Sequence, residues 1–278
     1  MRRPEVTRQL EANGISIAFK QSGEGPPLLL IHGAEADHSM FDAFGALLAA
    51  HFTVIAYDQR DSGGTTNPAS AYGVAEMAKD AAELIAALGY RRAHVFGTSL
   101  GGVIAQVLAA HHPERVDRLV LSSTFRPGAP PTALNPEVFA RLATLRAGLP
   151  GTASEIATYF FPAEHIAAHP EVVEIFNGSK RNAAQRQRRA GILAQPLVYA
   201  PAAIAAPTLV LAAAEDRLIP PAHTLSLARE IAGARTVTVP GAGHVATLQK
   251  PDAVAHEVRT FLQARTGGSE HDHGGGGF

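Results

Sequence analysis

Residues 95–106 read VFGTSLGGVIAQ and place Ser99 between Gly97 and Gly101. The short apolar run before Gly97 is typical of a buried parallel strand. The apolar residues that follow Ser99 recur at i, i+3, i+4, i+7 and i+8, which predicts one face of a helix that ends at Pro113. Ser99 therefore lies at a tight strand-to-helix corner, where the glycines leave out Cβ atoms that would clash.

Two interpretations of this corner remain open. Serine is a favoured N-cap, so Ser99 could simply cap the helix. The G-x-S-x-G pattern is also typical of enzymes that expose a serine nucleophile. The second interpretation needs a base and an acid elsewhere in the chain.

The bulk composition sets limits on the class of protein. The chain has 278 residues, which is enough for one large α/β domain or a domain with an insertion, and its 46% hydrophobic and 18% charged residues are an ordinary globular balance. A net charge of −1 indicates no nucleic-acid partner and no anionic membrane surface. The absence of cysteine excludes disulfides, thiolate metal sites and a cysteine nucleophile. Because no apolar run resembles a signal peptide or a membrane span, we expect a cytoplasmic protein.

Predicted strands alternate with predicted helices along most of the chain. One helix ends at Gly89, and the last begins near Pro251. This alternation predicts an α/β fold with a mostly parallel, doubly wound sheet and helices on both faces. The predicted strands are Ile15–Phe19, Leu28–Ile31, Phe52–Tyr57, residues 93–96, Leu119–Leu121, Thr208–Ala212 and Thr236–Val239.

The alternation stops between residues 125 and 203. A proline-rich linker opens this stretch, Asn135-Pro136 predicts a helix start, and Thr152-Ala153-Ser154-Glu155 predicts a capping box. We predict a core of residues 1–124 and 204–265, a helical lid of residues 125–203, and a tail of residues 266–278. The tail is glycine-rich, with His271 and His273, and we expect it to be disordered.

Chemically active residues follow three predicted strands. His32-Gly33-Ala34 follows the second strand, Glu215-Asp216 follows the sixth, and His244 follows the last. Ligands of open α/β sheets bind at the carboxyl ends of strands. The sequence therefore predicts that a serine, an acid and a histidine meet at one sheet edge.

These motifs resemble the α/β-hydrolase family from about residue 15 to residue 265. The elbow Gly97-Thr98-Ser99-Leu100-Gly101 and the order Ser99…Asp216…His244 both match that family. The resemblance implies that Ser99 is the nucleophile, His244 the base and Asp216 the acid. It also places oxyanion-binding N–H groups at Ala34 and Leu100 and implies neither a metal nor an organic cofactor.

Residues near these motifs have structural interpretations. Glu215 is the alternative acid, but the family pattern favours Asp216. Asp58, Arg60 and Asp61 lie in a loop in which Asp61 stands where the family usually has glycine, and His32 is expected to orient the oxyanion loop. The remaining histidines are expected to be surface or packing residues. We expect a basic run to form a solvated helix face, and it consists of Lys180, Arg181, Arg186, Arg188 and Arg189.

The resemblance leaves three functions open. The first is hydrolysis of a carboxylic ester or lactone, since the chain resembles enol-lactone hydrolases and small-molecule esterases. The second is C–C bond hydrolysis or cofactor-free perhydrolysis on the same residues, and the third is a slow-turnover small-molecule receptor. Phe125 and Tyr199 are predicted to line an apolar pocket, and Glu35 to contact a polar group of the substrate. The oligomeric state stays open.

Overall fold

The computed structural model describes residues 6–178 and 181–264. Its strands are β1 (Arg8–Ala12), β2 (Ile15–Ser22), β3 (Pro27–Ile31), β4 (Thr53–Tyr57), β5 (Ala93–Thr98), β6 (Val116–Ser122), β7 (Thr208–Ala213) and β8 (Arg235–Val239). They form one sheet in the order β1-β2-β4-β3-β5-β6-β7-β8. The pairs β1–β2 and β2–β4 are antiparallel, whereas every other pair is parallel. The predicted mostly parallel sheet is confirmed.

Helices cover both faces of the sheet. They are α1 (Asp42–Leu48), α2 (Val74–Ala87), α3 (Leu100–His111), α4 (Pro131–Leu134), α5 (Pro136–Ala147), α6 (Ala153–Phe160), α7 (Ala163–Ala168), α8 (Ala183–Ala190), α9 (Pro221–Ser226), α10 (Ala246–Gln249) and α11 (Pro251–Gln263). One hydrophobic core joins α2 and α3 to the sheet, through Met77 and Ile104 among others. A second core joins α1 and α11, through Phe44 and Val258. The doubly wound architecture is therefore confirmed.

The first strand, β1, was not predicted from the sequence. Its residues read RQLEA, and only Ala12 is buried. An edge strand that faces solvent carries no apolar run, so periodicity gives no signal for it.

Between β6 and β7 lies a mostly helical stretch, which we call the inserted segment (residues 125–203). Its described part contains α4 to α8 and short 3₁₀ turns, and no strand. Pro136 begins α5 as predicted, but Asn135 donates its side-chain amide to the backbone oxygen of Arg217 (2.9 Å). The predicted capping box at Thr152 was wrong, because the Thr152 hydroxyl donates to the backbone oxygen of Leu145 (2.5 Å).

None of the helices in the described ranges combines the length and apolar character needed to cross a membrane. The predicted tail, with His271 and His273, lies outside the described residues, as does Lys180.

Candidate active site

Ser99 occupies a strained corner between β5 and α3. Its backbone has φ +53° and ψ −124°, and its side chain makes no capping hydrogen bond. A non-glycine residue with positive φ is uncommon and costs on the order of 1–3 kcal/mol. A Cβ atom on Gly101 would lie 2.0 Å from the backbone oxygen of Ile31, so the corner forms only with glycine there. Because the Ser99 side chain does not cap α3, the helix-cap interpretation of Ser99 was wrong.

Hydrogen bonds from two sides fix the backbone of this corner. The Ser99 N–H donates to the Ser122 carbonyl (3.1 Å), which ties the corner to the end of β6. The Ser99 carbonyl accepts the hydroxyl of the buried Thr124 (2.6 Å). These bonds hold the Ser99 backbone in a conformation that it would not adopt alone.

Asp216 and His244 meet at the ends of the two last strands. Nδ1 of His244 lies 2.8 Å from Oδ2 of Asp216, and both residues are buried. The other carboxylate oxygen, Oδ1, accepts the N–H groups of Leu218 and Ile219, each at 2.9 Å. Because the ring nitrogen Nδ1 faces a carboxylate, the neutral ring carries its proton there and leaves Nε2 as an acceptor.

Glu215, the alternative acid, forms no hydrogen bond with His244 in the described part of the chain. It is exposed, and its backbone N–H donates to the Ala242 carbonyl (2.8 Å). Sequence reasoning missed Gln249, whose side chain accepts the Gly243 N–H (2.7 Å) and donates to the Gly241 carbonyl (3.1 Å). Gln249 thus fixes the loop before His244, and no sequence pattern marks it.

Ser99 and His244 line one cavity of about 250 Å³. Neither Ser99 Oγ nor His244 Nε2 forms a hydrogen bond with a residue that the structure describes. Five phenylalanines from the inserted segment contribute to the wall, and one of them, Phe160, packs edge-on against His244 with ring centroids 5.7 Å apart. The five are Phe125, Phe139, Phe160, Phe161 and Phe176.

Ala34 and Leu100 line the same cavity. Leu100 is the first residue of α3, so its N–H has no intrahelical acceptor. Neither its N–H nor that of Ala34 has an acceptor among the described residues. Unpaired N–H donors in a largely apolar cavity can bind a negatively charged oxygen.

The three predicted substrate contacts have different positions. Phe125 lines the cavity, as expected. Glu35 also borders it, but its carboxylate is 64% exposed and pairs with Arg181 Nη1 (3.1 Å). Tyr199 is absent from the described lining, because its hydroxyl donates to Oε1 of the buried Gln106 (3.1 Å). Tyr199 therefore supports the cavity wall from behind, since Gln106 also donates to the Phe125 carbonyl (2.9 Å).

The prediction that the basic run is solvated was wrong for three of its arginines. Arg188 donates to both carboxylate oxygens of Asp61 (2.8 and 2.7 Å), and Arg181 donates to Ser62 Oγ (2.7 Å). Arg189 donates to the Ala34 carbonyl (2.8 Å). In the sequence, these contacts have only an indirect indication: α8 has no apolar face, so the helix needs polar contacts to pack on the core.

Two histidines near the site, His32 and His38, have shifted pKa values. Burial first, and then the charge of Arg189, lower the pKa of His32 to about 3, so this ring is neutral. A hydrogen bond between His38 Nδ1 and Asp58 Oδ1 (2.8 Å) raises the pKa of His38. With Asp37, these two residues form a group with metal-ligand spacing in the described part of the chain, but His38 and Asp58 already satisfy each other.

Comparisons with known proteins place this site in a family. The model of the alpha/beta hydrolase fold matches residues 26–251. A relative from Variovorax paradoxus, whose name assigns it provisionally as a carbamate hydrolase, is 32% identical over 86% of this chain and 92% of its own.

Two solved structures are also similar. A hydrolase from Pseudomonas aeruginosa has a TM-score of 0.78 and 33% identity, and the match covers 94% of this chain and all (100%) of that one. The enol-lactonase from Burkholderia xenovorans has a TM-score of 0.78 and 27% identity over 92% of this chain and 100% of its own. The chain belongs to the α/β-hydrolase fold family and is a hydrolase.

Proposed function

We propose that the protein is a serine hydrolase that cleaves a carboxylic ester or lactone of a small, largely apolar molecule. One observation carries the proposal: the strained Ser99 and His244, which is paired with Asp216, line the same apolar cavity. A serine hydroxyl is a weak nucleophile at neutral pH and needs an adjacent base. His244 offers Nε2 for that purpose, because Asp216 holds the proton on Nδ1.

The reaction proceeds through an acyl-enzyme. Ser99 Oγ attacks the substrate carbonyl carbon while His244 Nε2 takes its proton, and the N–H groups of Ala34 and Leu100 bind the resulting oxyanion. The oxyanion collapses, the carbon–oxygen ester bond breaks, and His244 returns the proton to the leaving alkoxide. Water then attacks the acyl-enzyme, with His244 again as base, and releases the acid and Ser99.

The cavity supports a small substrate. Its volume of about 250 Å³ lies just below the roughly 300–1,000 Å³ of pockets that hold drug-sized ligands. Its phenylalanine wall favours an apolar acyl or ring portion. The enol-lactonase and the relative named as a carbamate hydrolase act, by their names, on acyl–oxygen or acyl–nitrogen compounds. Both names support acyl transfer as the reaction class.

Ser99→Ala tests the proposal. We expect the wild type to hydrolyse at least one member of a panel of p-nitrophenyl esters and lactones with multiple turnovers, at about 1–10³ s⁻¹. Ser99→Ala should lose that turnover and keep the circular dichroism spectrum of the wild type. A fluorophosphonate should label the wild type once, at Ser99.

Other results would contradict the proposal. Labelling of a different serine would remove Ser99 as the nucleophile. A single-turnover burst on every ester and lactone would favour the receptor, and turnover of β-diketones alone would favour C–C bond hydrolysis.

A further inference from the structure

Helix α8 docks on the core through charged and polar groups. None of its residues is buried, so it has no apolar stripe to hold it in place. Arg188 binds Asp61 through two parallel hydrogen bonds, in the fork geometry that suits a guanidinium and a carboxylate. The ion pair between Arg188 and Asp61 therefore places the next residue, Arg189, against the core.

Arg189 contacts the loop that carries the Ala34 N–H. Its Nη2 donates to the Ala34 carbonyl (2.8 Å). Its Nη1 donates to the side-chain oxygen of Gln59 (3.0 Å) and to the Arg60 carbonyl (3.2 Å). All three acceptors are neutral oxygens.

Gln59 links Arg189 to the peptide group that carries the Ala34 N–H. Its backbone N–H donates to His32 Nε2 (3.2 Å), and its side-chain amide donates to the His32 carbonyl (2.5 Å). Because Nε2 accepts, the neutral His32 ring has its proton on Nδ1, which lies 2.7 Å from the Gly33 carbonyl. The Gly33 carbonyl and the Ala34 N–H belong to one planar peptide group, so fixing the oxygen also fixes the direction of the N–H.

The charge of Arg189 has no carboxylate partner in the described part of the chain. Arg181 pairs with Glu35 and Arg188 with Asp61, but Arg189 forms no ion pair. Burial, and then the nearby Arg181, lower the pKa of Arg189 to about 10, so it remains protonated at neutral pH. Withdrawing a cation from water without a carboxylate partner is costly, which indicates that the position of Arg189 serves the site.

We propose that Arg189 is a positioning residue that the inserted segment supplies to the oxyanion-binding loop. It holds the Ala34 carbonyl directly and the Gly33–Ala34 peptide through Gln59 and His32, so that the Ala34 N–H points to the substrate oxyanion. The inference rests on the proposed function. It makes the docking of α8 a condition for transition-state binding as well as for closing the cavity.

Arg189→Met is the direct test, measured with the neutral ester p-nitrophenyl butyrate. Loss of an oxyanion donor costs about 10²–10³ in rate, so a misdirected donor should cost about 10–100-fold in kcat with KM within about 3-fold. The Ki of a boronic acid that forms a tetrahedral adduct with Ser99 should rise by the same factor as kcat/KM falls. Arg189→Lys should not restore activity, because an ammonium group cannot reach three separated carbonyls in a fork.

Arg186→Met is the matched control. Arg186 is exposed on the same helix and donates to the Arg181 carbonyl of the inserted segment, not to a described residue of the core, so kcat, KM and Ki should match the wild type. If Arg189→Met does not fold, Gln59→Met carries the test, with the same kcat-selective loss expected.

Three outcomes would overturn the proposal. A raised KM with unchanged kcat would mean that Arg189 only shapes the cavity. A loss confined to the mono-p-nitrophenyl ester of glutaric acid would mean that Arg189 binds a substrate carboxylate. Wild-type kinetics in both Arg189→Met and Gln59→Met would show that Arg189 does not position the oxyanion-binding loop. A wild type with no Ser99-dependent turnover would instead contradict the proposed function itself.

Discussion

Asp216 uses its two carboxylate oxygens for different purposes. Oδ1 accepts two backbone N–H groups of its own loop, which fixes the carboxylate plane, while Oδ2 faces the His244 ring. Its neighbour Glu215 has neither contact and is exposed. A difference of one residue in the chain therefore separates a side chain that can orient His244 from one that cannot.

Asp216→Asn should keep this geometry and remove the preference for a proton on Nδ1. The amide can present N–H to His244, which favours the wrong imidazole tautomer, and comparable changes in other triads cost about 10⁴ in kcat. Steady-state kinetics on the best ester of the panel would measure the loss. Glu215→Gln is the matched control and should retain wild-type kcat. A larger loss in Glu215→Gln than in Asp216→Asn would mean that Glu215, and not Asp216, is the acid.

At the scale of elements, the inserted segment has two kinds of contact with the core. Its phenylalanines form the wall of the cavity, whereas Tyr199 and Gln106 form a hydrogen-bonded support that does not touch it. The two groups should therefore affect different measurements. Substrate choice depends on the wall, and stability depends on the support.

Phe139→Ala and Tyr199→Phe separate these contributions. Removing the half-buried Phe139 ring from the wall should shift the kcat/KM ranking of p-nitrophenyl esters by about tenfold toward longer acyl chains. Tyr199→Phe should leave the ranking unchanged and lower the free energy of unfolding by about 1–3 kcal/mol, because Gln106 Oε1 loses its donor. Urea unfolding and ester kinetics on both variants provide the check, and a reordered ranking in Tyr199→Phe would contradict it.

The sequence predicted elements whose burial leaves a periodic pattern. Strand β7 is buried along its whole length and was found, whereas the mostly exposed β1 was not. Chain order at strand ends also predicted that Asp216 and His244 meet. It could not show that Arg188 would find Asp61, since that contact joins residues 127 positions apart and depends on how α8 packs.

Across the whole molecule, two apolar cores hold the sheet, and a layer of buried polar residues supports its carboxyl edge. Asp58 is part of that layer and accepts the N–H groups of His38 and Gly64 (2.7 and 2.8 Å) as well as the His38 ring. Burial alone would raise the pKa of Asp58, but these hydrogen bonds together lower it. The Asp58 carboxylate and the His38 imidazolium therefore stabilise each other in the folded protein.

This pair should make the free energy of unfolding depend on pH. The raised pKa of His38 comes first from the Asp58 hydrogen bond, with Asp37 adding to it and burial and Lys20 opposing it. Its contribution is therefore fully present below the unfolded value of about 6.5 and is lost as the pH rises through the raised value. The lowered pKa of Asp58 gives the opposite limit: its contribution is present above about pH 4 and is lost as the pH falls through the lowered value.

His38→Gln should therefore destabilise the protein most between about pH 4.5 and pH 6.5, by about 1.5–3 kcal/mol, the range for a hydrogen bond between charged groups. The difference from wild type should shrink as the pH rises through the raised pKa of His38, because the wild-type ring then loses its proton. Urea unfolding at pH 5.5 and pH 9 measures both values. His256→Gln is the control, because His256 is exposed and forms no hydrogen bond with a described residue. A His38→Gln effect that is equal at both pH values would show that the contact stabilises the edge through packing alone and not through charge.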